Sequence, residues 1–127
     1  MKDNLLTSGT RNTTEQPEDN YPNFLTAHDL LEKYLKDLPE NIFDLRQSFE
    51  AHDVFYFKQI IRRLIPELKS VGLNDLADKV KELDSKCVEA RDMVLYENDI
   101  EHIIKDITAS REPTSRILNG LKEFLLQ

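Results

Sequence analysis

Side chains suited to nucleophilic or metal chemistry are few in this chain and are not grouped. The three histidines, His28, His52 and His102, lie far apart, and Cys87 is the single cysteine. The sequence therefore has no His/Cys set at metal-binding spacing and no internal disulfide. It also has no glycine-rich phosphate loop and no nucleophile elbow. We predict a protein that is not an enzyme and that uses no metal or cofactor.

The charged residues that do share a pattern are basic. Lys58, Arg62 and Lys69 are spaced so that they share one side of a helix, and Arg63 and Ser70 flank that line. We call these five residues the basic ridge. A short cationic ridge can meet an acidic protein surface. The alternative is an ordinary solvated side of an amphipathic helix, which needs charged residues in any case.

The basic ridge falls within a stretch that predicts two helices joined at a glycine. Apolar residues recur at helical spacing from Val54 to Val71, and a second set does so from Leu73 to Leu83. Between them, Gly72 supplies the conformational freedom that ends a helix. A long helix, a tight turn and a second amphipathic helix predict an antiparallel helical hairpin.

Further helices are predicted on both sides of this hairpin. Before it, Pro39 either opens a new helix at its first turn or kinks a longer one. After it, a break is expected near residues 96–99. The last segment stays in helical phase across Pro113, as one kinked helix or two collinear ones. The fold predicted is all-α, an up-and-down four-helix bundle with an additional N-terminal helix.

The composition of the chain limits which partners and which cellular location we expect for the protein. Residues 1–23 are polar and contain two prolines, so we expect a flexible arm there, followed by one helical domain over 24–127. With 17 basic and 24 acidic residues, the net charge of −7 argues against nucleic-acid binding. No apolar run is long enough to span a membrane, and no signal peptide is evident. A cytoplasmic location is the expectation.

Residues 44–84 carry a longer pattern than the helical hairpin alone. Its members are Leu45, Phe49, Asp53 and Phe57, then Val71-Gly72-Leu73, Leu76-Ala77 and Glu82-Leu83-Asp84. With these residues the stretch resembles the histidine-containing phosphotransfer (HPt) domain of bacterial and plant phosphorelays, in which a pattern of this kind spans the two central helices of a four-helix bundle. The resemblance implies that fold, and it implies docking to the receiver domain of a response regulator or hybrid histidine kinase.

The chain departs from the family at the functional centre. The family's phosphoacceptor histidine precedes the turn glycine by ten residues, and Arg62 occupies that position here. The family's lysine three positions later corresponds to Ile65, and the small glycine after it corresponds to Pro66. Arginine stays protonated at physiological pH, so it has no nucleophilic lone pair. The resemblance therefore implies receiver docking without phosphate carriage. The partner-binding residues expected are Lys58, Arg62, Arg63, Pro66, Lys69 and Ser70.

Two alternatives remain open on the sequence. Phosphotransfer could proceed through a relocated histidine, for which His102 is the strongest candidate because Lys105 follows it in EHIIKDI. This alternative predicts an acid-labile phosphoryl group on His102. Otherwise the chain is a structural or oligomerising helical bundle unrelated to phosphorelays. That alternative predicts self-association through the last helix, for example as a homodimer, and no response to any receiver domain.

Overall fold

The computed structural model describes residues 24–126, which are helical apart from short connections. Its helices are α1 (Phe24–Glu50), α2 (Val54–Ser70), α3 (Asn74–Lys86), α4 (Ala90–Leu95), α5 (Glu97–Ala109) and α6 (Arg111–Leu125). No strand occurs over these residues. The all-α prediction is confirmed, whereas the predicted flexible arm, residues 1–23, lies outside the described residues.

The longest helix, α1, continues through a proline. Pro39 removes one backbone hydrogen bond, yet residues 24–50 form a single helix and Pro39 is exposed on its surface. From the sequence, Pro39 could either open a new helix or lie inside a longer one. The structure shows one longer helix, so the additional N-terminal helix that we predicted is not a separate element. The continuous apolar stripe explains this outcome, because it buries Leu31, Tyr34, Leu38 and Leu45 on both sides of the proline.

The predicted hairpin is confirmed in α2 and α3. The side chain of Asp53 caps α2 by accepting from the Tyr56 amide at 3.1 Å. Gly72 ends the turn with a φ of 84°, a left-handed conformation that favours glycine. The Lys58 side chain, near the start of α2, reaches the carbonyl of Cys87 just after α3, so the two helices run antiparallel.

The C-terminal third contains three helices where the sequence left the number open. The short α4 precedes the predicted break, and α5 and α6 are separated by Ser110 alone. The hydroxyls of Ser110 and Tyr34 lie 2.7 Å apart in the interior, which fixes this junction against α1. Burial raises the pKa of Tyr34, so its hydroxyl stays protonated in this contact.

The helices enclose one hydrophobic core. α1 packs against α2, α5 and α6, while α3 packs against α2 and α5. Burying each large aliphatic or aromatic side chain stabilises the fold by roughly 1.5–3 kcal/mol. Among the described residues, no helix is long and apolar enough to cross a membrane. The core consists of Tyr34, Leu38, Leu45, Phe57, Ile60, Ile61, Leu64, Leu68, Ala77, Val80, Leu83, Cys87, Met93, Ile100, Ile103, Ile104 and Ile107.

Candidate partner-binding face

One side of α2 faces away from the core along its whole length. Its apolar stripe is fully buried, so the opposite residues, three or four positions apart, are exposed. We call this surface the α2 outer face. Phe55 is 72% exposed at one end, an unusual position for a large aromatic ring. The residues of the α2 outer face are Phe55, Gln59, Arg62, Pro66 and Lys69.

Arg62 stands at the middle of the α2 outer face. Its side chain is 65% exposed, and its Nε lies 3.3 Å from Oδ2 of Asp84 on α3. Its two terminal nitrogens make no hydrogen bond to any residue of the described range 24–126. A guanidinium presents five N–H donors in a fixed fork that matches a carboxylate or a phosphate. Arg62 is therefore held at one nitrogen and can still bind an anionic group with the others.

Lys58, which the sequence grouped with the basic ridge, turns away from solvent. Its side chain is only 18% exposed, and Nζ lies 3.1 Å from Oδ1 of Asp84. The ammonium also donates to the carbonyls of Asp84 and Cys87, the latter at 2.7 Å. The last carbonyls of a helix lack intrahelical partners, and a cation there satisfies them. Lys58 thus holds the end of α3 to α2, and its ammonium is not presented for docking.

The other flank of the α2 outer face lies towards α1. Arg63 donates from Nη2 to Oδ1 of Asn41 at 2.9 Å, and its Nη2 lies 4.0 Å from Oδ2 of Asp44. Ser70 donates to the carbonyl of Glu67 at 2.7 Å, within its own helix. Both residues border the face as the sequence predicts. The Ser70 hydroxyl is engaged within α2, whereas Arg63 has one terminal nitrogen engaged by α1 and a side chain that is 52% exposed.

The positive charge of the α2 outer face is concentrated at two residues. Asp84 lies between Lys58 and Arg62 and offsets part of their charge. Lys69 is exposed and forms no ion pair with any residue that the structure describes. The face itself carries no acidic side chain. Arg62 and Lys69 are consequently the cations that an approaching acidic surface would meet.

The α2 outer face has no group that could accept a phosphoryl transfer as a histidine does. Ile65, at the position of the family's lysine, packs half-buried against the core. Pro66 is exposed and carries a ring where the family has the small glycine. Cys87, close to Lys58, is buried, and burial raises the pKa of its thiol. The groups that the α2 outer face does expose are a guanidinium, an ammonium and an aromatic ring, at Arg62, Lys69 and Phe55.

None of the three histidines joins the α2 outer face. His52 lies in the connection between α1 and α2 with a φ of 54°, and His28 lies on α1. His102 is exposed on α5, where its Nδ1 lies 3.0 Å from the carbonyl of Asn98. It borders a groove between α3 and α5 together with Lys86. The relocated-histidine alternative would thus place its chemistry on a different surface of the protein.

Three residues that matter to this surface were missed or left undecided by sequence reasoning. Phe55 belongs to a run of three aromatic residues, of which Phe57 is buried, Tyr56 is half-buried and Phe55 is exposed. Residues seven positions apart lie on the same side of a helix, so the sequence could have placed Phe55 on the side of Arg62, with Gln59 between them. Asp84 had no such signal, because its contact with Arg62 depends on how α3 packs against α2.

Comparisons with protein families, with curated proteins and with solved structures found no match to this chain. No relative or solved structure therefore contributes to the interpretation of the α2 outer face.

Proposed function

We propose that this chain is a non-enzymatic interaction module that docks the receiver domain of a response regulator or hybrid histidine kinase. Docking uses the α2 outer face, and the chain carries no phosphate because Arg62 replaces the phosphoacceptor histidine. The module then acts as an adaptor or a competitor in a cytoplasmic two-component pathway. Within this proposal, α1, α2, α3 and the α5–α6 pair form the up-and-down four-helix bundle that the resemblance implies.

The observation that carries this proposal is the presence of Arg62 and Phe55 on one exposed face. Arginine and aromatic residues are enriched among the few residues that dominate binding energy at protein interfaces. Here they are seven residues apart on α2, which is about two helical turns, and the ring of Phe55 is not part of the buried core. A partner could pack on Phe55 while its carboxylates meet the guanidinium fork.

The class of partner follows from charge and from the family pattern. The α2 outer face offers Arg62 and Lys69 without an acidic residue of its own, so its complement is an acidic surface. In the family that residues 44–84 resemble, the receiver's phosphoacceptor aspartate lies among further carboxylates. Arg62 occupies the position that would face that pocket. The chain as a whole has a net charge of −7, so an acidic partner would be attracted only through a local basic surface such as this face.

Binding of purified receiver domains from the same genome, measured by isothermal titration calorimetry, tests the proposal. We expect Arg62→Glu to weaken binding at least about tenfold and Phe55→Ala to weaken it to a similar degree. Lys105→Glu is the matched control, because it makes the same charge change on exposed α5. Equal binding by wild type and Arg62→Glu would contradict the proposal. Loss of binding on Lys105→Glu alone would favour the surface around His102 instead.

A further inference from the structure

A second exposed apolar stripe lies on α6, away from the α2 outer face. The side of α6 that faces α1 contains Thr114 and Leu118, both buried. Roughly a quarter-turn away, a different set recurs at spacings of four, three and four residues. This is the spacing of a coiled-coil seam. Its members, which we call the second α6 stripe, are Pro113, Ile117, Gly120 and Phe124.

The position of α6 in the fold explains why this stripe is exposed. Lys86 pairs with Asp99 at 3.6 Å and Lys79 pairs with Asp106 at 3.8 Å, so α3 and α5 run antiparallel. If the same antiparallel pairing is extended towards the N-terminus of α3, Asn74 lies level with Arg111, so α3 begins beside the point where α6 begins. Most of α6 therefore extends beyond the α2–α3 turn, with α1 as its main described neighbour.

Exposure along the second α6 stripe is large for apolar side chains. Ile117 is 57% exposed, and 55% of the Phe124 side chain is exposed. At Gly120, between them, an added Cβ would meet no described atom within 4 Å. A glycine at that point would let another helix approach the backbone closely. Exposed apolar side chains on either side of an open glycine thus give the stripe the composition of a helix-packing surface.

The charges beside the stripe indicate which partner covers it. Arg116 and Glu123 are seven residues apart, so both lie on the same flank of the stripe, with opposite charges. When two identical helices pack antiparallel about a two-fold axis near Gly120, each residue before the axis faces one after it. Arg116 of one copy then meets Glu123 of the other, and this pairing occurs twice. Ile117 and Phe124 face each other by the same symmetry.

We propose that two copies of this chain associate through an antiparallel α6–α6 contact centred on Gly120. The contact buries the second α6 stripe and forms two Arg116–Glu123 ion pairs between the copies. In the single chain, Arg116 lies 3.5 Å from Glu112, and both side chains are mostly exposed. An exposed ion pair of this kind contributes little to stability. Replacing the Arg116–Glu112 pair by an Arg116–Glu123 pair between two copies therefore costs little free energy. This inference is independent of receiver docking.

Sedimentation equilibrium of the full chain over a range of concentrations tests the contact. We expect a reversible dimer whose dissociation constant rises about tenfold in R116E and in E123R, because each reversal places like charges together twice. The double variant R116E/E123R should recover the wild-type dissociation constant. A mixture of the two single variants should form heterodimers in preference to either homodimer, since every pair is then attractive. Lys81→Glu, on exposed α3, is the control and should dimerise as wild type.

Ile117→Asp tests the apolar part of the contact and should leave the chain monomeric with an unchanged helical circular-dichroism spectrum. A wild-type chain that stays monomeric at every concentration would overturn the proposal. So would a dimer that ignores both charge reversals, because that dimer would use another surface. Protection of the second α6 stripe in a monomer would assign it to residues 1–23 of the same chain, which also overturns the proposal.

Discussion

The Lys58 ammonium on α2 lies 3.1 Å from the Asp84 carboxylate on α3, in a position only 18% exposed. The other oxygen of the same carboxylate lies 3.3 Å from Nε of Arg62. One acidic residue therefore separates two basic residues that the sequence groups together. Lys58 is used to hold the end of α3, whereas Arg62 keeps most of its guanidinium at the surface.

Replacement of Lys58 should destabilise the fold. Lys58→Met leaves the carbonyls of Asp84 and Cys87 without their donor and removes one of the two cations beside the Asp84 carboxylate. Leaving such groups unsatisfied costs about 1–3 kcal/mol, which urea denaturation would measure as a lower free energy of unfolding. Lys69→Met is the matched control and should change that free energy by less than about 0.5 kcal/mol. Equal effects of the two substitutions would contradict the assigned role of Lys58.

The thiol of Cys87 should be unreactive in the native protein. Burial raises its pKa, although the nearby Lys58 opposes the shift, so less thiolate is present than in a free cysteine. This protonated thiol favours the folded state below the ordinary cysteine pKa, and the advantage is lost as pH rises through the raised value. Labelling rates with a thiol reagent across alkaline pH, compared with a short cysteine peptide, measure the effect. Labelling as fast as the peptide would show that Cys87 is accessible.

Asp92 should make the start of α4 sensitive to acid. Its carboxylate accepts hydrogen bonds from the Glu89 and Val88 amides, each at 2.9 Å, and these bonds lower its pKa. A lowered folded-state pKa adds stability above the ordinary value of 3.8, and this stability is lost as pH falls through the lowered value. Asp92→Asn should remove the contribution. Chemical denaturation measures the free energy of unfolding of wild type and of Asp92→Asn at several pH values. We expect the difference between the two proteins to disappear as the pH falls through the lowered pKa of Asp92.

The two left-handed residues of the helix connections should respond oppositely to substitution. Gly72 has a φ of 84°, so Gly72→Ala should cost about 1–2 kcal/mol through backbone strain, although no described atom obstructs a Cβ there. His52 has a φ of 54°, so His52→Gly removes strain and should stabilise by up to about 1 kcal/mol. Thermal denaturation of both variants measures the pair. A stabilising Gly72→Ala would show that the turn does not require a left-handed residue.

Helical periodicity predicted most of the secondary structure, because burial of one face dominates helix formation in a protein. The hairpin at Gly72 followed from the same signal plus the conformational freedom of glycine. The course of the chain through Pro39 could not be predicted, since it depends on whether packing on both sides outweighs one lost hydrogen bond. The same holds for the last segment, where Pro113 has no N–H to donate to the carbonyl of Ala109 and the helix divides at Ser110.

The candidate face was predictable only in part. Residue spacing identifies which side chains share a side of a helix, and it grouped Arg62, Pro66 and Lys69 correctly on the exposed side. It does not show which cation a neighbouring helix will bind. Lys58 is engaged because the end of α3 lies within reach of its side chain, a relationship set by tertiary packing.

The most direct test of receiver docking is a map of amide chemical-shift changes when labelled protein is titrated with receiver domains from the same genome. The titration is made with and without a phosphoaspartate mimic. We expect changes confined to the α2 outer face, with the largest at Arg62 and Phe55, and little change on α5. Changes centred on His102, or the absence of any change with every receiver domain, would contradict docking through the α2 outer face.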